Sequence, residues 1–151
     1  MDNLSFQKAS LKDLEYIMDI EEVSFPSPWD FETFVVTLQD ERCRNILART
    51  DDRIVGYCFA LEMNTMIHLL NLAVHPDYRN RGIAGALVKD VLSFAEKRRK
   101  AYVFLEVRRS NKAARCLYEG EGFRYVSTWR GYYTDTGEDA DVMMKKLCQE
   151  E

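Results

Sequence analysis

The stretch Arg79-Asn80-Arg81-Gly82-Ile83-Ala84-Gly85 joins an apolar, β-like run to a long helical pattern that begins near its glycine-rich end. A helix N-terminus has backbone N–H groups without intrahelical partners and a partial positive charge, so it favours an anion. The small residues remove bulk and the arginines add charge, so the stretch predicts a phosphate site. It lacks the spacing of a Walker A loop and of the dinucleotide fingerprint. Glycines that serve only close helix packing are the alternative.

The chain on both sides of this stretch reads as strand, helix and strand. Met66 to Val74 and Tyr102 to Val107 are apolar runs, and helical spacing lies between them. Such a unit predicts parallel strands with a right-handed crossover. Similar patterns predict strands at 4–8, 45–50, 53–61, 124–133 and 141–147, and helices at 11–25, 31–38 and 112–119. The predicted fold class is α/β (α+β), with a mixed sheet of about seven strands and four helices in a single domain, 1–151.

Composition excludes several functional classes. The chain has 151 residues, of which 46% are hydrophobic, and its net charge is −4, whereas nucleic-acid and membrane-surface binders are usually strongly basic. Its first residues lack the pattern of a signal peptide, and its apolar runs are shorter than the ~18 residues that span a bilayer. We expect a soluble, cytoplasmic protein without nucleic-acid or membrane partners. No zinc pattern is present, and buried free thiols are expected for Cys43, Cys58, Cys116 and Cys148.

Glu106 interrupts the apolar run 103–107 and is the first candidate for chemistry. Burying a carboxylate is costly unless it has a partner or a task. Two interpretations therefore stay open at this point. The carboxylate is either a general base or one half of a salt bridge, with Arg108 or Arg130 as its partner.

Other candidates have a structural interpretation beside a functional one. Tyr118 fits the buried face of an amphipathic helix, although a phenol can also donate a proton. Asn111 suits the N-cap of the helix 112–119. Four aromatic residues can line a pocket or fill a core: Phe25, Trp29, Tyr132 and Tyr133. The two histidines, His68 and His75, are interpreted as structural.

The stretch 79–85 also matches the R/Q-x-x-G-x-G/A loop, and the sequence resembles the GCN5-related N-acetyltransferases (GNAT) over nearly its whole length. It is most similar to the RimI-type branch, which acetylates the N-terminal alanine of small-subunit ribosomal protein number eighteen. The segments that carry this similarity are 25–29, 71–78, 105–108, 110–111, 117–119, 122–123, 132–133 and 138–140.

This resemblance implies a GNAT fold, whose mostly antiparallel sheet has a central parallel pair that splays apart. It implies acetyl-CoA as co-substrate, no metal, and direct transfer to a protein N-terminus in a ternary complex. Glu106 corresponds to the general base and Tyr118 to the acid that protonates the leaving thiolate. The implied cofactor-binding residues are Leu72, Ala73, Val74, Arg79, Asn80, Arg81, Gly82, Ile83, Ala84, Gly85 and Asn111. The implied substrate-binding residues are Phe25, Trp29, Tyr132 and Tyr133.

Two other functions remain open. The acceptor can be a lysine side chain or a small-molecule amine, but a lysine, with a pKa near 10.4, requires stronger deprotonation than an α-amine, with a pKa of about 7.7–8.0. The chain can also be a non-catalytic, CoA-binding regulatory module. The presence of both Glu106 and Tyr118 disfavours that function.

Overall fold

The computed structural model describes residues 3–147, and their helices and strands follow the predicted order. The helices are α1 (Leu14–Ser24), α2 (Phe31–Gln39), α3 (Ile83–Lys97) and α4 (Lys112–Gly120). The strands are β1 (Ser5–Lys8), β2 (Cys43–Thr50), β3 (Arg53–Glu62), β4 (Met66–Val74), β5 (Tyr102–Arg108), β6 (Arg124–Tyr133) and β7 (Glu138–Lys146). These four helices and seven strands of the described part confirm the predicted fold class.

The strands form one sheet in the order β1-β2-β3-β4-β5-β7-β6. Neighbouring strands are antiparallel except for β4 and β5, which are parallel, as the strand-helix-strand pattern predicts. The parallel ladder is short and ends where His68 pairs with Phe104. Beyond this pair β4 continues to Val74 and β5 to Arg108 without pairing to each other. The central pair is therefore splayed.

A bulge in β4 accounts for this splaying. Leu69 pairs with one residue of β3 and Asn71 pairs with the adjacent one, so Leu70 is an extra residue on β4. An extra residue bends its strand and increases the local twist. The bulge lies just beyond His68, where the ladder with β5 ends. It turns the rest of β4 away from β5.

The sheet separates two cores. One contains buried residues of α3 and α4, and the other contains buried residues of α1 and α2. The bulge changes which residues of β4 face each core. Leu70 packs against the α1–α2 core, and Asn71 faces the same side because it bonds to Glu21 of α1. Leu72 then packs against the α3–α4 core.

Some local predictions need correction. The first helical turn is a 3₁₀ turn, Leu11–Asp13, in which the Asp13 carboxylate accepts hydrogen bonds from the backbone N–H and the hydroxyl of Ser10. β7 begins at Glu138, earlier than predicted. Cys58 is buried, but Cys43 is half-buried and Cys116 is exposed on α4; Cys148 lies outside the described residues. Between residues 3 and 147, no helix is long and apolar enough to cross a membrane.

Candidate active site

The gap between β4 and β5 opens into a cleft of about 440 Å³. Residues from both faces of the sheet line it, because the gap passes between the strands. The structure brings together eight residues that the sequence analysis assigns to the site. They are Phe25, Trp29, Leu72, Glu106, Asn111, Tyr118, Tyr132 and Tyr133.

Glu106 faces the α1–α2 side of the cleft. Its neighbour Leu105 packs in the α3–α4 core, and successive side chains of a strand point to opposite faces. The Glu106 side chain is only 9% exposed, and its Oε2 lies 2.5 Å from Nε2 of His68. The hydroxyl of Tyr132 donates a hydrogen bond to Oε1 over 3.4 Å. The Glu106 carboxylate is therefore held by His68 and Tyr132 where it faces the cleft.

The partner of Glu106 differs from both predicted arginines. Arg108 instead contacts Asp135 at 2.9 Å and Glu138 at 3.4 Å, so its charge is directed to the β6–β7 turn. His68 takes the place of an arginine, and its ring stacks on Phe104 at a centroid distance of 4.3 Å. The structural interpretation of His68 is therefore incomplete, because this residue contacts the proposed base.

Tyr118 lies in α4, in the core on the other side of the sheet. It is 8% exposed and packs against Phe123. Burial raises the pKa of its phenol, so the hydroxyl stays protonated at neutral pH. In the described part of the chain no hydrogen bond engages this hydroxyl, which leaves its proton available to a group in the cleft.

The predicted phosphate loop has the backbone that an anion site needs. Gly82 has a φ of +82°, in the left-handed region that favours glycine, and a Cβ there would point into open space. The first intrahelical bond of α3 runs from the N–H of Ala86 to the carbonyl of Gly82. The N–H groups of Ile83, Ala84 and Gly85 therefore lack intrahelical acceptors. This cradle fits a phosphate group.

The arginines of this loop have other contacts. Nε of Arg79 donates to the carbonyl oxygen of Val74 and its Nη2 donates to the hydroxyl of Ser24, both at 3.0 Å. Arg81 lies over the ring of Tyr78, at 5.1 Å from its centroid. Both are exposed, so they contribute positive charge near the loop. The backbone N–H groups are therefore the main candidate phosphate donors.

The end of β4 offers donors on its unpaired edge. Successive N–H groups of a strand point to opposite edges. Within Leu72, Ala73 and Val74, only alternate N–H groups can therefore face the gap. The family resemblance implies cofactor binding by all three residues. Asn111 caps α4, because its Oδ1 accepts from the N–H of Ala114 at 3.1 Å, and it also lines the cleft.

The aromatic candidates divide between core and cleft. Trp29 packs on Phe34 and Phe59 at centroid distances of 5.2 and 6.0 Å, so it has a core role as well as a place in the cleft wall. Tyr132 and Tyr133 stand perpendicular at 5.1 Å. Burial and the charge of Glu106 raise the pKa of Tyr133 to about 12, so its phenol is neutral at physiological pH.

Two further features of the cleft were not predicted from the sequence. Glu21 lines the cleft although it belongs to an ordinary-looking acidic helix segment. Ser27 donates a hydrogen bond to Asp135 at 2.6 Å, which joins the α1–α2 loop (residues 25–30) to the β6–β7 turn. Within residues 3–147, no cluster of three His, Cys, Asp or Glu side chains is arranged to hold a metal ion.

Comparisons with known proteins identify the family. The sequence model described as the acetyltransferase (GNAT) family matches residues 14–123. The chain is 36% identical over 133 residues to the ribosomal protein bS18-alanine N-acetyltransferase of Escherichia coli K12, which covers 87% of this chain and 89% of the relative. It is 31% identical over 154 residues to an N-alpha-acetyltransferase of Sulfurisphaera tokodaii, with 93% and 92% covered.

A solved structure agrees with both. The crystal structure of the ribosomal-protein-S18-alanine N-acetyltransferase from Escherichia coli has a TM-score of 0.90 and 32% identity, covering 98% of this chain and 96% of that one. The similarity to the RimI-type branch is thus confirmed. The chain belongs to the acetyltransferase (GNAT) family and is an N-acetyltransferase.

Proposed function

We propose that this enzyme uses acetyl-CoA to acetylate the N-terminal alanine of a protein, with small-subunit ribosomal protein number eighteen as its substrate. The observation that carries the proposal is the placement of Glu106 and Tyr118 on opposite sides of one cleft, which the splayed strands open. A proton acceptor and a proton donor on either side of a gap suit transfer between two substrates held at once. This arrangement supports direct transfer in a ternary complex.

Each group has a defined task in this mechanism. Acetyl-CoA, when bound, supplies the thioester carbonyl. The N–H groups at the start of α3 hold its phosphates, and gap-facing N–H groups of β4 donate to the carbonyl oxygen. Glu106 accepts a proton from the substrate α-amine, directly or through water, and Tyr118 donates one to the departing thiolate. Because the pKa of an α-amine is about 7.7–8.0, a carboxylate is a sufficient base.

The choice of a protein N-terminus rests on similarity and on the shape of the site. The Escherichia coli relative is named for ribosomal protein bS18 alanine, and the Sulfurisphaera relative for N-alpha acetylation. The aromatic wall formed by Tyr132 and Tyr133 offers rigid contact area to the first residues of a peptide. We place the reaction in the cytoplasm, since the described cysteines are unpaired, as is usual in a reducing compartment.

Thiol release from acetyl-CoA tests the proposal with four acceptors. These are an alanine-starting peptide with an internal lysine, the same peptide with its α-amine blocked, the same peptide with its lysine blocked, and a polyamine. We expect turnover with the free peptide and the lysine-blocked peptide only. Turnover with the α-blocked peptide supports a lysine acceptor instead, turnover with the polyamine supports a small-molecule acceptor, and CoA binding without turnover supports a regulatory module.

A further inference from the structure

Glu21 is a buried carboxylate in the wall of the cleft. It is 2% exposed, and its Oε1 accepts hydrogen bonds from the Tyr57 hydroxyl at 2.6 Å and the Asn71 amide at 2.8 Å. Its Oε2 accepts from the backbone N–H of Trp29 at 2.9 Å. One side chain of α1 thus connects β3, β4 and the end of the α1–α2 loop.

The contacts of Glu21 differ from those of a buried ion pair. Asp141 of β7 shows the contrast: it is fully buried and forms ion pairs with Arg109 and Arg115. Glu21 makes no ion pair with any residue in 3–147, and only neutral donors surround it. Burying a carboxylate is costly without compensation, and three hydrogen bonds provide that compensation. The site therefore depends on these donors keeping their places.

Two of the three donors belong to the walls of the cleft, and the third does not. Asn71 and Trp29 line the cleft, whereas Tyr57 is fully buried behind it. Asn71 directly follows the bulge that bends β4, and Trp29 lies near the end of the α1–α2 loop, which contains two prolines and no regular structure. Fixing both to one carboxylate sets the distance between the loop and the strand, and so the width of this side of the cleft.

We propose that Glu21 is a positioning residue for the peptide substrate, which holds the α1–α2 loop against β4 through Trp29 and Asn71. This inference rests on the proposed function. Replacing Glu21 by methionine keeps a side chain of similar length and removes both acceptor oxygens, so all three hydrogen bonds are lost. The α1–α2 loop then loosens, whereas the α3–α4 side of the cleft keeps its shape.

Steady-state kinetics separate this role from a purely structural one. In Glu21→Met we expect the KM for the alanine peptide to rise at least about tenfold, as the loss of a hydrogen bond to a carboxylate implies, while kcat and the KM for acetyl-CoA change little. Tyr57→Phe is the matched control, since it removes a bond to the same carboxylate away from the cleft. It should lower thermal stability and leave the peptide KM unchanged. An unchanged peptide KM in folded Glu21→Met overturns the proposal.

A second measurement needs no substrate. The protein has two tryptophans, so in a Trp129→Phe background the fluorescence reports on Trp29 alone. Acrylamide quenching should increase in Glu21→Met and not in Tyr57→Phe; equal quenching in both overturns the proposal. If Glu21→Met does not fold, Asn71→Ala replaces it with the same expected results. A wild-type protein that does not acetylate the peptide refutes the proposed function, and quenching alone then decides whether Glu21 holds the loop.

Discussion

Replacing Glu106 by glutamine is expected to lower kcat for peptide acetylation by about 10²–10⁴-fold, the usual contribution of a general base. This range corresponds to about 2.7–5.4 kcal/mol of activation free energy, at 1.36 kcal/mol for each tenfold change. The structure indicates that the substitution isolates the chemical step. The amide oxygen of glutamine can still accept from His68, and its NH₂ group can donate to the hydroxyl of Tyr132, so the cleft keeps its shape.

The assay is thiol release at saturating acetyl-CoA, measured between pH 5.5 and 9 for wild type, Glu106→Gln and Glu96→Gln. Glu96 is an exposed carboxylate of α3 and serves as the control. Ionisation of the substrate α-amine, at about pH 7.7–8.0, affects all three proteins alike. If Glu106 is the general base, kcat should fall only in Glu106→Gln, and any low-pH limb of the wild-type kcat/KM that is separate from the amine ionisation should be lost in Glu106→Gln and kept in Glu96→Gln. CoA-dependent thermal shifts should be equal in all three.

Two results would refute this reasoning. If the low-pH limb persists in Glu106→Gln at reduced height, it belongs to the substrate or to another group. Glu106 then orients the amine or holds the splayed strands together through His68. If kcat falls no more than in Glu96→Gln, Glu106 has no part in the chemical step. Either result withdraws the general-base role.

Three further predictions concern the loop, the acid and the core. CoA at one hundred times its dissociation constant should stabilise the wild type by about 2.7 kcal/mol, and Gly82→Val should abolish the resulting rise in melting temperature. Gly137→Val is the control: its φ of +75° is similar, so it should be destabilised but keep the CoA-dependent rise. Tyr118→Phe should slow turnover less than Glu106→Gln and leave the pH profile unchanged up to pH 9, because burial raises the phenol pKa and the wild-type hydroxyl stays protonated there. Asp141→Ala should lower the unfolding free energy by about 1–3 kcal/mol in urea titrations, since it removes a buried acceptor that Arg109, Arg115 and Thr128 share.

Much of the fold is predictable from the sequence because its signals are local. Gly82 marks the start of α3, and two prolines end α1 near Phe25. The extra residue at Leu70 could not be predicted, since a bulge depends on how β4 pairs with β3 and leaves no mark in an apolar run. The first turn also escaped prediction, because the Ser10–Asp13 pattern fits an α-helical cap and a 3₁₀ turn equally well.

The candidate site is predictable where a residue conflicts with its surroundings. Glu106 is visible as a charge in an apolar strand, and its role stays a prediction. The contact between Glu106 and His68 could not be predicted, because His68 lies on another strand. An arginine such as Arg108, close by in the sequence, is the more obvious partner for a carboxylate. Glu21 lies in an acidic, amphipathic helix, where a carboxylate normally faces solvent. Only the packing of α1 on β4 shows that it is buried.

The bulge at Leu70 gives β4 its two functions in the site. Side chains of a strand alternate with a period of two, so without the extra residue every side chain after it would face the other side of the sheet. Asn71 would then enter the α3–α4 core, where Glu21 cannot reach it, and Leu72 would leave that core. With the bulge, residues 71–74 of β4 bend away from β5 and present N–H groups to the gap, and Asn71 also bonds to Glu21 of α1. One backbone irregularity thus couples the gap proposed to admit the thioester to the placement of the α1–α2 loop, which we propose contacts the peptide.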